Sequence, residues 1–243
     1  IIPMIKNSIY VLLVLAVISV FSGAKGNDGG GTIPAPKRLL VIGDSLTNGL
    51  YATAEQNTFV SIVSKNTDMP TARRAAATLK DAVPLWMNLK AWQPDVVVIE
   101  LGINDVNGRQ WNARWKKDYQ ALVEDIQASG ARVVVCTTFW IGIDDQNPIC
   151  PVHVGLNNDI RDIARQTGAT LADLWAATEG CADCVSTPDV VSYFSPHYHG
   201  DNMHPSDAGH AAIARVVTDA INGVGASGTT QKTYYMPFVA NGE

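Results

Sequence analysis

Three short segments contain residue types that could carry out acyl transfer. Ser45, in the segment 43–46 (GDSL), offers a hydroxyl nucleophile. Asp201 and His204 stand three positions apart, so the carboxylate can hold the imidazole Nδ1 while Nε2 takes the serine proton. Asn104 offers an uncharged amide that could donate to a transient oxyanion. These types predict a serine hydrolase with Ser45, His204 and Asp201 as its catalytic residues.

Each segment also has an ordinary structural interpretation. Asp44 and Ser45 could cap a helix, and Gly102 with Asn104 could form a plain turn. His204 could be a surface histidine at a helix start. The first segment is not the G-x-S-x-G elbow of α/β-hydrolases, because a threonine replaces its second glycine. The catalytic interpretation is favoured because all three segments are predicted to fall on one rim of the fold.

Two other functions remain open from the residues alone. His197 and His199 lie close to Asp201 and His204, and this spacing could hold zinc in a metal-dependent hydrolase. That site would leave Ser45 without a purpose, so we expect no metal and no cofactor. A non-catalytic carbohydrate-binding module could instead use exposed aromatic residues. The tryptophans are Trp86, Trp92, Trp111, Trp115, Trp140 and Trp175. Trp140 comes just after the predicted strand that ends at Thr137 and is a possible substrate contact.

The elements that must position these residues alternate between apolar runs and amphipathic stretches. The predicted strands are Arg38–Ile42, Asp95–Leu101, Ala131–Thr137 and a weaker Ala169–Leu174. The predicted helices are Thr78–Trp92 with Pro84 as a kink, Trp111–Ser129, Val154–Thr167 and Pro205–Asn222, the last three closed by glycines. This alternation predicts a three-layer α/β/α sandwich with a central parallel sheet. Its sites form at the carboxyl ends of the strands, with Ser45 at a strand-to-helix turn.

With these motifs in hand, the chain resembles the GDSL or SGNH hydrolases, a family of esterases, lipases and carbohydrate deacetylases with a flavodoxin-like fold. The resemblance rests on the segments 43–46, 102–105 and 201–205 in that order. It implies an acyl-enzyme mechanism, an oxyanion hole made by Ser45, Asn104 and a glycine amide, and supporting roles for Asp44 and Gly102. The chain departs from the family pattern at that glycine, where Ala76 is the expected equivalent.

Charge and composition narrow the class of partner. The net charge is −5 and no basic run occurs, which argues against nucleic acid as the ligand. A lipid, polysaccharide or small-molecule ester is the expected substrate, and transfer of the acyl group to an alcohol would use the same residues. Oligomeric state is not indicated by the sequence.

The N-terminal residues predict export. Residues 1–24 combine a positive start, an apolar stretch and small residues, as in a secretory signal peptide, with no membrane span left after cleavage. An uncleaved N-terminal anchor is the alternative. Residues 25–37 form a Gly/Pro-rich linker, residues 38–223 the hydrolase domain, and residues 224–243 a tail of unassigned role. An exported chain with Cys136, Cys150, Cys181 and Cys184 predicts disulfides in one of three pairings. Free thiols and metal binding are the alternatives. We therefore expect a secreted or periplasmic protein.

Overall fold

The computed structural model describes residues 37–139, 150–177 and 204–223. Five strands in this part of the chain form one parallel sheet in the order β2-β1-β3-β4-β5. The strands are β1 (Leu39–Gly43), β2 (Thr71–Ala75), β3 (Val96–Glu100), β4 (Arg132–Cys136) and β5 (Thr170–Ala172). The strand order reverses between the neighbours β1 and β3, which is the point where ligands bind in open α/β sheets.

Seven α-helices lie within the residues that the structure describes, and they connect and cover the strands. They are α1 (Phe59–Thr67), α2 (Leu79–Leu89), α3 (Ile103–Asn107), α4 (Ala113–Ala128), α5 (Cys150–Thr167), α6 (Leu174–Ala177) and α7 (Asp207–Asn222). Short 3-10 turns at Glu55–Asn57 and Lys90–Trp92 complete the described elements. None of the helices described is long and apolar enough to cross a lipid bilayer.

The side chains of the central strands are buried on both faces of the sheet. Alternate residues such as Val98 and Val134 pack with α1 and α7 on one face. Their neighbours, such as Val97 and Val133, pack with α2, α4 and α5 on the other face. This burial on two sides explains why β1, β3 and β4 are continuous apolar runs rather than alternating ones. The predicted three-layer α/β/α sandwich is therefore confirmed.

The ends of the helices follow the local capping chemistry. Asn112 accepts the backbone N–H groups of Arg114 and Trp115 at the start of α4, and Ser206 accepts that of Gly209 at the start of α7. Gly223 ends α7 in the left-handed conformation, as predicted. Pro84 lies inside α2, where it removes a backbone donor without ending the helix.

Two elements were not predicted from the sequence. Strand β2 has the sequence TARRA and lies at the edge of the sheet, half exposed, so it needs no apolar run. Helix α1 fills the connection between β1 and β2 with Phe59, Val60 and Val63 buried. The helix expected directly after Ser45 is also wrong. Residues 44–51 form successive turns, and α1 begins only at Phe59.

The prediction that all four cysteines pair is wrong for Cys136. Its thiol is free and buried in the core beneath α7, where it behaves as a small apolar group. Cys150 begins α5, but its side chain lies outside the described part of the structure, as do Cys181 and Cys184. A disulfide among those three remains a prediction.

We expect Gly43→Ala to destabilise the protein by about 3 kcal/mol, because overpacking a rigid site is costly. A Cβ at this position would lie 2.0 Å from Thr47 Oγ1 and 2.6 Å from the backbone oxygen of Glu100, which cannot move without distorting β3. The matched control is Gly168→Ala. There φ is +72° with no atom within 4 Å, so only backbone strain of about 1 kcal/mol is expected. Urea unfolding of both variants measures the difference, and an equal or smaller loss for Gly43→Ala would contradict it.

Candidate active site

The structure brings the predicted nucleophile and base into hydrogen-bond contact. Ser45 follows β1, and His204 precedes α7, so the two residues come from distant parts of the chain. The Ser45 Oγ lies 3.0 Å from His204 Nε2. Ser45 is half-buried and His204 is buried. This distance lies within the range for proton transfer between a hydroxyl nucleophile and an imidazole base.

The turn that carries Ser45 is closed by its own backbone and by Asp44. The Asp44 carboxylate accepts the Leu46 N–H at 3.0 Å, and the Ser45 carbonyl accepts the Leu50 N–H at 3.0 Å. The Ser45 N–H has no acceptor within hydrogen-bond distance among residues 37–139, 150–177 and 204–223. It can therefore donate to a substrate oxyanion. The Asp44 carboxylate therefore helps to close the turn that carries Ser45.

Asn104 stands at the start of α3, beside the segment that follows β2. Its Nδ2 donates to the Ala77 carbonyl at 3.0 Å, which fixes the plane of the amide. An amide nitrogen has two hydrogens, so one remains for an oxyanion. Gly102 makes the sharp turn from β3 into α3 with φ +131°, and a Cβ there would meet Leu156 at 2.9 Å. Only glycine fits this conformation easily, and it lets Asn104 point to the rim.

The expected oxyanion role of the Ala76 N–H does not fit the structure. This N–H donates to the Gly43 carbonyl at 2.8 Å and extends the pairing of β2 with β1 by one residue. The next residue, Ala77, is exposed, and its N–H has no acceptor among the described residues. Ala77 is therefore the better candidate for the second backbone donor. The sequence alone could not separate the two alanines, because the difference depends on strand register.

Asp105 is a functional neighbour that sequence analysis missed. Its buried carboxylate accepts the Leu79 N–H with both oxygens, at 3.2 and 3.3 Å, and so caps α2. Burial raises the pKa of Asp105, although the bond from Leu79 opposes this shift. Asn104 and Asp105 together hold the segment 77–79 from two adjacent positions. The signal in the sequence was an aspartate next to the predicted amide donor.

A pair of buried carboxyl groups lies behind the nucleophile turn. Glu100, at the end of β3, is opposite Gly43 and accepts the Thr47 hydroxyl at 3.2 Å. Glu100 and Asp44 are each 2% exposed, and no lysine or arginine in the described part of the chain forms an ion pair with either. Burial raises the pKa of Asp44 to about 6. Burial and the Asp44 charge hold the pKa of Glu100 well above its usual range.

Burial disfavours charge on both carboxyls, and the Asp44 charge adds to this effect at Glu100. If both were ionised, the buried Asp44 Oδ2 would have no hydrogen-bond donor among the described residues. A proton on Glu100 supplies that donor and removes the repulsion between the two charges. Because two interacting carboxyls titrate as a unit, a proton bound here would belong to the pair. A glutamate within the predicted buried strand was the signal that sequence analysis did not use.

Several predicted residues lie outside the described part of the structure. They include Asp201, the expected partner of His204 Nδ1, and Trp140, the possible substrate contact. His197 and His199 of the alternative zinc site also lie outside it. Among the residues described, no three His, Cys, Asp or Glu side chains are arranged to hold a metal ion. The roles of these four residues remain predictions.

Comparison with known proteins decides the family. Residues 41–212 match the GDSL-like Lipase/Acylhydrolase family. This range includes the nucleophile turn, the Asn104 segment and His204. The chain belongs to the GDSL-like Lipase/Acylhydrolase family. This hydrolase therefore acts on ester bonds, as predicted, and the GDSL or SGNH resemblance is confirmed.

Two relatives and two solved structures are similar to more than half of this chain. An acetylxylan esterase of Geobacillus stearothermophilus is 23% identical over 75% of this chain and 93% of its own length. An acetylxylan esterase of Xylanibacter ruminicola is 24% identical over 56% of this chain, but the match covers only 30% of that protein. The crystal structure of an acetyl xylan esterase superposes with a TM-score of 0.58 at 21% identity, covering 75% of this chain and 99% of that one. The crystal structure of the Geobacillus enzyme superposes with a TM-score of 0.57 at 22% identity, covering 76% of this chain and 94% of that one. The shared fold is established by these matches.

Glu100→Gln should make stability less dependent on pH. The unfolded chain releases the Glu100 proton near pH ~4.3, whereas the folded chain keeps it to higher pH, because the folded-state pKa is raised. The folded state then binds more protons, so the free energy of unfolding falls as pH rises above that value. Glutamine cannot ionise, yet it keeps a donor for Asp44 and an acceptor for Thr47.

The measurement is urea unfolding of wild type and variant between about pH 5 and 8. We expect the stability of the variant relative to wild type to increase with pH, by up to about 1.4 kcal/mol per pH unit. The matched control is Glu124→Gln on the exposed side of α4, which should run parallel to wild type. Parallel curves for wild type and Glu100→Gln would show that the pair holds no extra proton.

Proposed function

We propose that this chain is a secreted serine esterase that removes acetyl groups from polysaccharides of the acetylxylan type. The observation that carries the proposal is the 3.0 Å contact between Ser45 Oγ and His204 Nε2 on the rim of the sheet. Export rests on the signal-peptide pattern of residues 1–24. Membership of an ester-hydrolase family gives the reaction class.

The proposed mechanism is acyl transfer in two steps. His204 Nε2 takes the Ser45 proton as Oγ attacks the ester carbonyl carbon. The carbonyl oxygen becomes an oxyanion that accepts hydrogen bonds from the Ser45 N–H, the Ala77 N–H and the Asn104 amide. His204 then protonates the leaving alcohol, which leaves an acyl-enzyme. Water repeats the sequence and releases the acid. Asp201 is proposed to orient His204 and to stabilise the imidazolium.

The substrate class is supported by the relatives. The curated relatives from Geobacillus and Xylanibacter are both acetylxylan esterases, and so are the two solved structures compared above. Two solved variants of the Geobacillus enzyme are described as catalytic mutants, one lacking a serine and the other an aspartate. A serine and an aspartate are also the acyl carrier and the orienting carboxylate of the mechanism proposed for this chain.

A metal-dependent hydrolase and a carbohydrate-binding module are the competing functions. In a zinc-dependent hydrolase His204 would be a zinc ligand, but its Nε2 already contacts Ser45. Prolonged chelation should leave the activity unchanged if the serine mechanism holds, and loss restored by zinc would favour the metal enzyme. A binding module would retain acetylated xylan without releasing acetate.

Ser45→Ala should abolish ester cleavage, whereas Asn104→Ala should retain a measurable remnant. Losing one oxyanion donor costs roughly 10²- to 10³-fold in kcat, because the two backbone donors remain. The measurement is hydrolysis of p-nitrophenyl acetate, together with labelling of Ser45 by a fluorophosphonate. The matched control is Asn107→Ala, an exposed asparagine at the other end of the short helix α3. Full activity in Ser45→Ala would end the serine mechanism.

Acetylated xylooligosaccharides should be better substrates than esters of long fatty acids. We expect kcat/KM to fall by at least about tenfold between acetyl and octanoyl p-nitrophenyl esters, because a pocket fitted to acetyl clashes with extra methylenes. Acetate release from acetylated xylan measures the polysaccharide reaction directly. A preference for the octanoyl ester with no acetate released from xylan would replace the proposed substrate with a lipid, while leaving the serine mechanism in place.

A further inference from the structure

The loop after the nucleophile turn is bonded to the start of the helix that follows His204. Asp207, the first residue of α7, accepts three hydrogen bonds from this loop. The Thr53 N–H donates to Oδ1 at 2.8 Å, and the Thr53 hydroxyl donates to Oδ2 at 2.5 Å. The Asn57 Nδ2 donates to Oδ2 at 2.8 Å. These bonds lower the pKa of Asp207, the Thr53 bonds most, so it stays ionised at neutral pH.

His210, one turn further along α7, bonds the same region through both ring nitrogens. Its Nδ1 accepts the Phe59 N–H at 3.4 Å, which leaves the hydrogen on Nε2. The Nε2 donates to the Leu50 carbonyl at 3.2 Å. The ring is fully buried, and burial lowers its pKa, which keeps it neutral. His210 therefore has one defined tautomer.

Leu50 connects this histidine to the nucleophile. Its N–H donates to the Ser45 carbonyl at 3.0 Å, and its carbonyl accepts from His210. A continuous path of two hydrogen bonds thus runs from the backbone of Ser45 to α7. The path does not include the Ser45–His204 bond. It fixes the nucleophile turn to α7, and the base, His204, lies just before the start of that helix.

Tyr51 connects the same loop to the catalytic base, His204, by a contact between their rings. Its backbone has φ +68°, a conformation that costs a side chain other than glycine or asparagine some strain. This conformation places the tyrosine ring against the His204 imidazole, with centroids 5.1 Å apart and planes tilted by 36°. Leu50 and Thr53, on either side of Tyr51, are hydrogen-bonded to His210 and Asp207 of α7. These bonds hold the Tyr51 backbone in its strained conformation.

We propose that residues 50–57 form a brace that sets the geometry between Ser45 and His204, with Tyr51, Asp207 and His210 as positioning residues. This inference rests on the proposed serine mechanism. Asp207 and His210 fix the loop to α7, Leu50 ties it to the nucleophile, and Tyr51 limits the rotation of the imidazole. A single neutral hydrogen bond contributes little net stability, so the Ser45–His204 contact cannot hold two distant segments in register by itself.

A brace should change the turnover rate of folded enzyme, whereas a purely structural anchor should change only the stability of the fold. An anchor would change the fraction of folded protein and leave turnover by each folded molecule intact. A brace should change kcat, because misplacement by about 1 Å can cost as much as 10²-fold in rate. KM should change little, because substrate binding does not need the serine–imidazole alignment.

Tyr51 is tested with Tyr51→Phe and Tyr51→Asn. Phenylalanine keeps the ring, whereas asparagine tolerates the left-handed backbone but has no ring to pack on His204. We expect Tyr51→Phe to retain wild-type kcat and Tyr51→Asn to lose roughly ten- to a hundredfold, with KM within about twofold. The control is Gln93→Asn, another side chain with positive φ (+52°), which lies between the 3-10 turn at Lys90–Trp92 and β3.

His210 is tested with His210→Gln and His210→Asn. Glutamine can place an amide donor near the position of Nε2, so the Leu50 bond survives. Asparagine can replace only the acceptor at Nδ1 and loses the Leu50 bond. We expect His210→Gln to keep most of the wild-type kcat, and His210→Asn to lose about tenfold or more.

The readout is kcat per active site, with sites counted by burst titration using a fluorophosphonate, so that unfolded molecules do not enter the rate. If either variant folds poorly, Asp207→Asn provides the same test, because it keeps an acceptor for Thr53 but loses the ionised pair of oxygens. Wild-type kcat per titrated site in both Tyr51→Asn and His210→Asn would overturn the brace. Failure of the wild type to be labelled at Ser45 would instead overturn the serine mechanism itself.

Discussion

The site depends on the close approach of β1 to β3 at Gly43. In the parallel register Gly43 lies opposite Glu100 on one side and Ala75 on the other. Because Gly43 has no side chain, Glu100 and Thr47 can occupy the space beside it. Because Gly43, Ala75 and Glu100 are in register, the chain segments that follow β1, β2 and β3 begin at the same level of the sheet. Ser45, Ala77 and Asn104 reach a common rim for that reason, and no separate device is needed to bring them together.

Polar groups beneath this rim are organised as a small buried network, which is unusual next to a core rich in valine. Asp44 supports the nucleophile turn from below, and Asp105 supports the start of α2. Each carboxylate accepts backbone N–H groups, so each supplies the charge-assisted bonds that a tight turn needs in the absence of water. The raised pKa values of Asp44 and Glu100 reflect the cost of burying two carboxyl groups side by side.

Sequence reasoning identified the elements whose physics is local. Strands β1, β3 and β4 are predicted because burial on both faces requires continuous apolar residues, and glycine marks the ends of α5 and α7 because they need positive φ. The Ser45 and His204 pair is predicted from residue types that are rare in this combination. What the sequence could not supply is pairing between distant segments. The partner of the Ala76 N–H depends on strand register. The contacts of Asp207 and His210 depend on docking between segments 150 and 151 residues apart.

Strand β2 has a consequence for the behaviour of the protein in solution. An outermost strand carries backbone donors and acceptors on one side with no neighbouring strand, and such a strand can recruit the same strand of another molecule. In the described sheet this outermost position is taken by Thr71–Ala75, with two consecutive arginines. Pairing two copies edge to edge there would place like-charged arginines of both copies on each face of the joined sheet. Charged residues on an edge strand disfavour such pairing, so the sequence that gives β2 no apolar run also disfavours sheet formation between molecules at this edge.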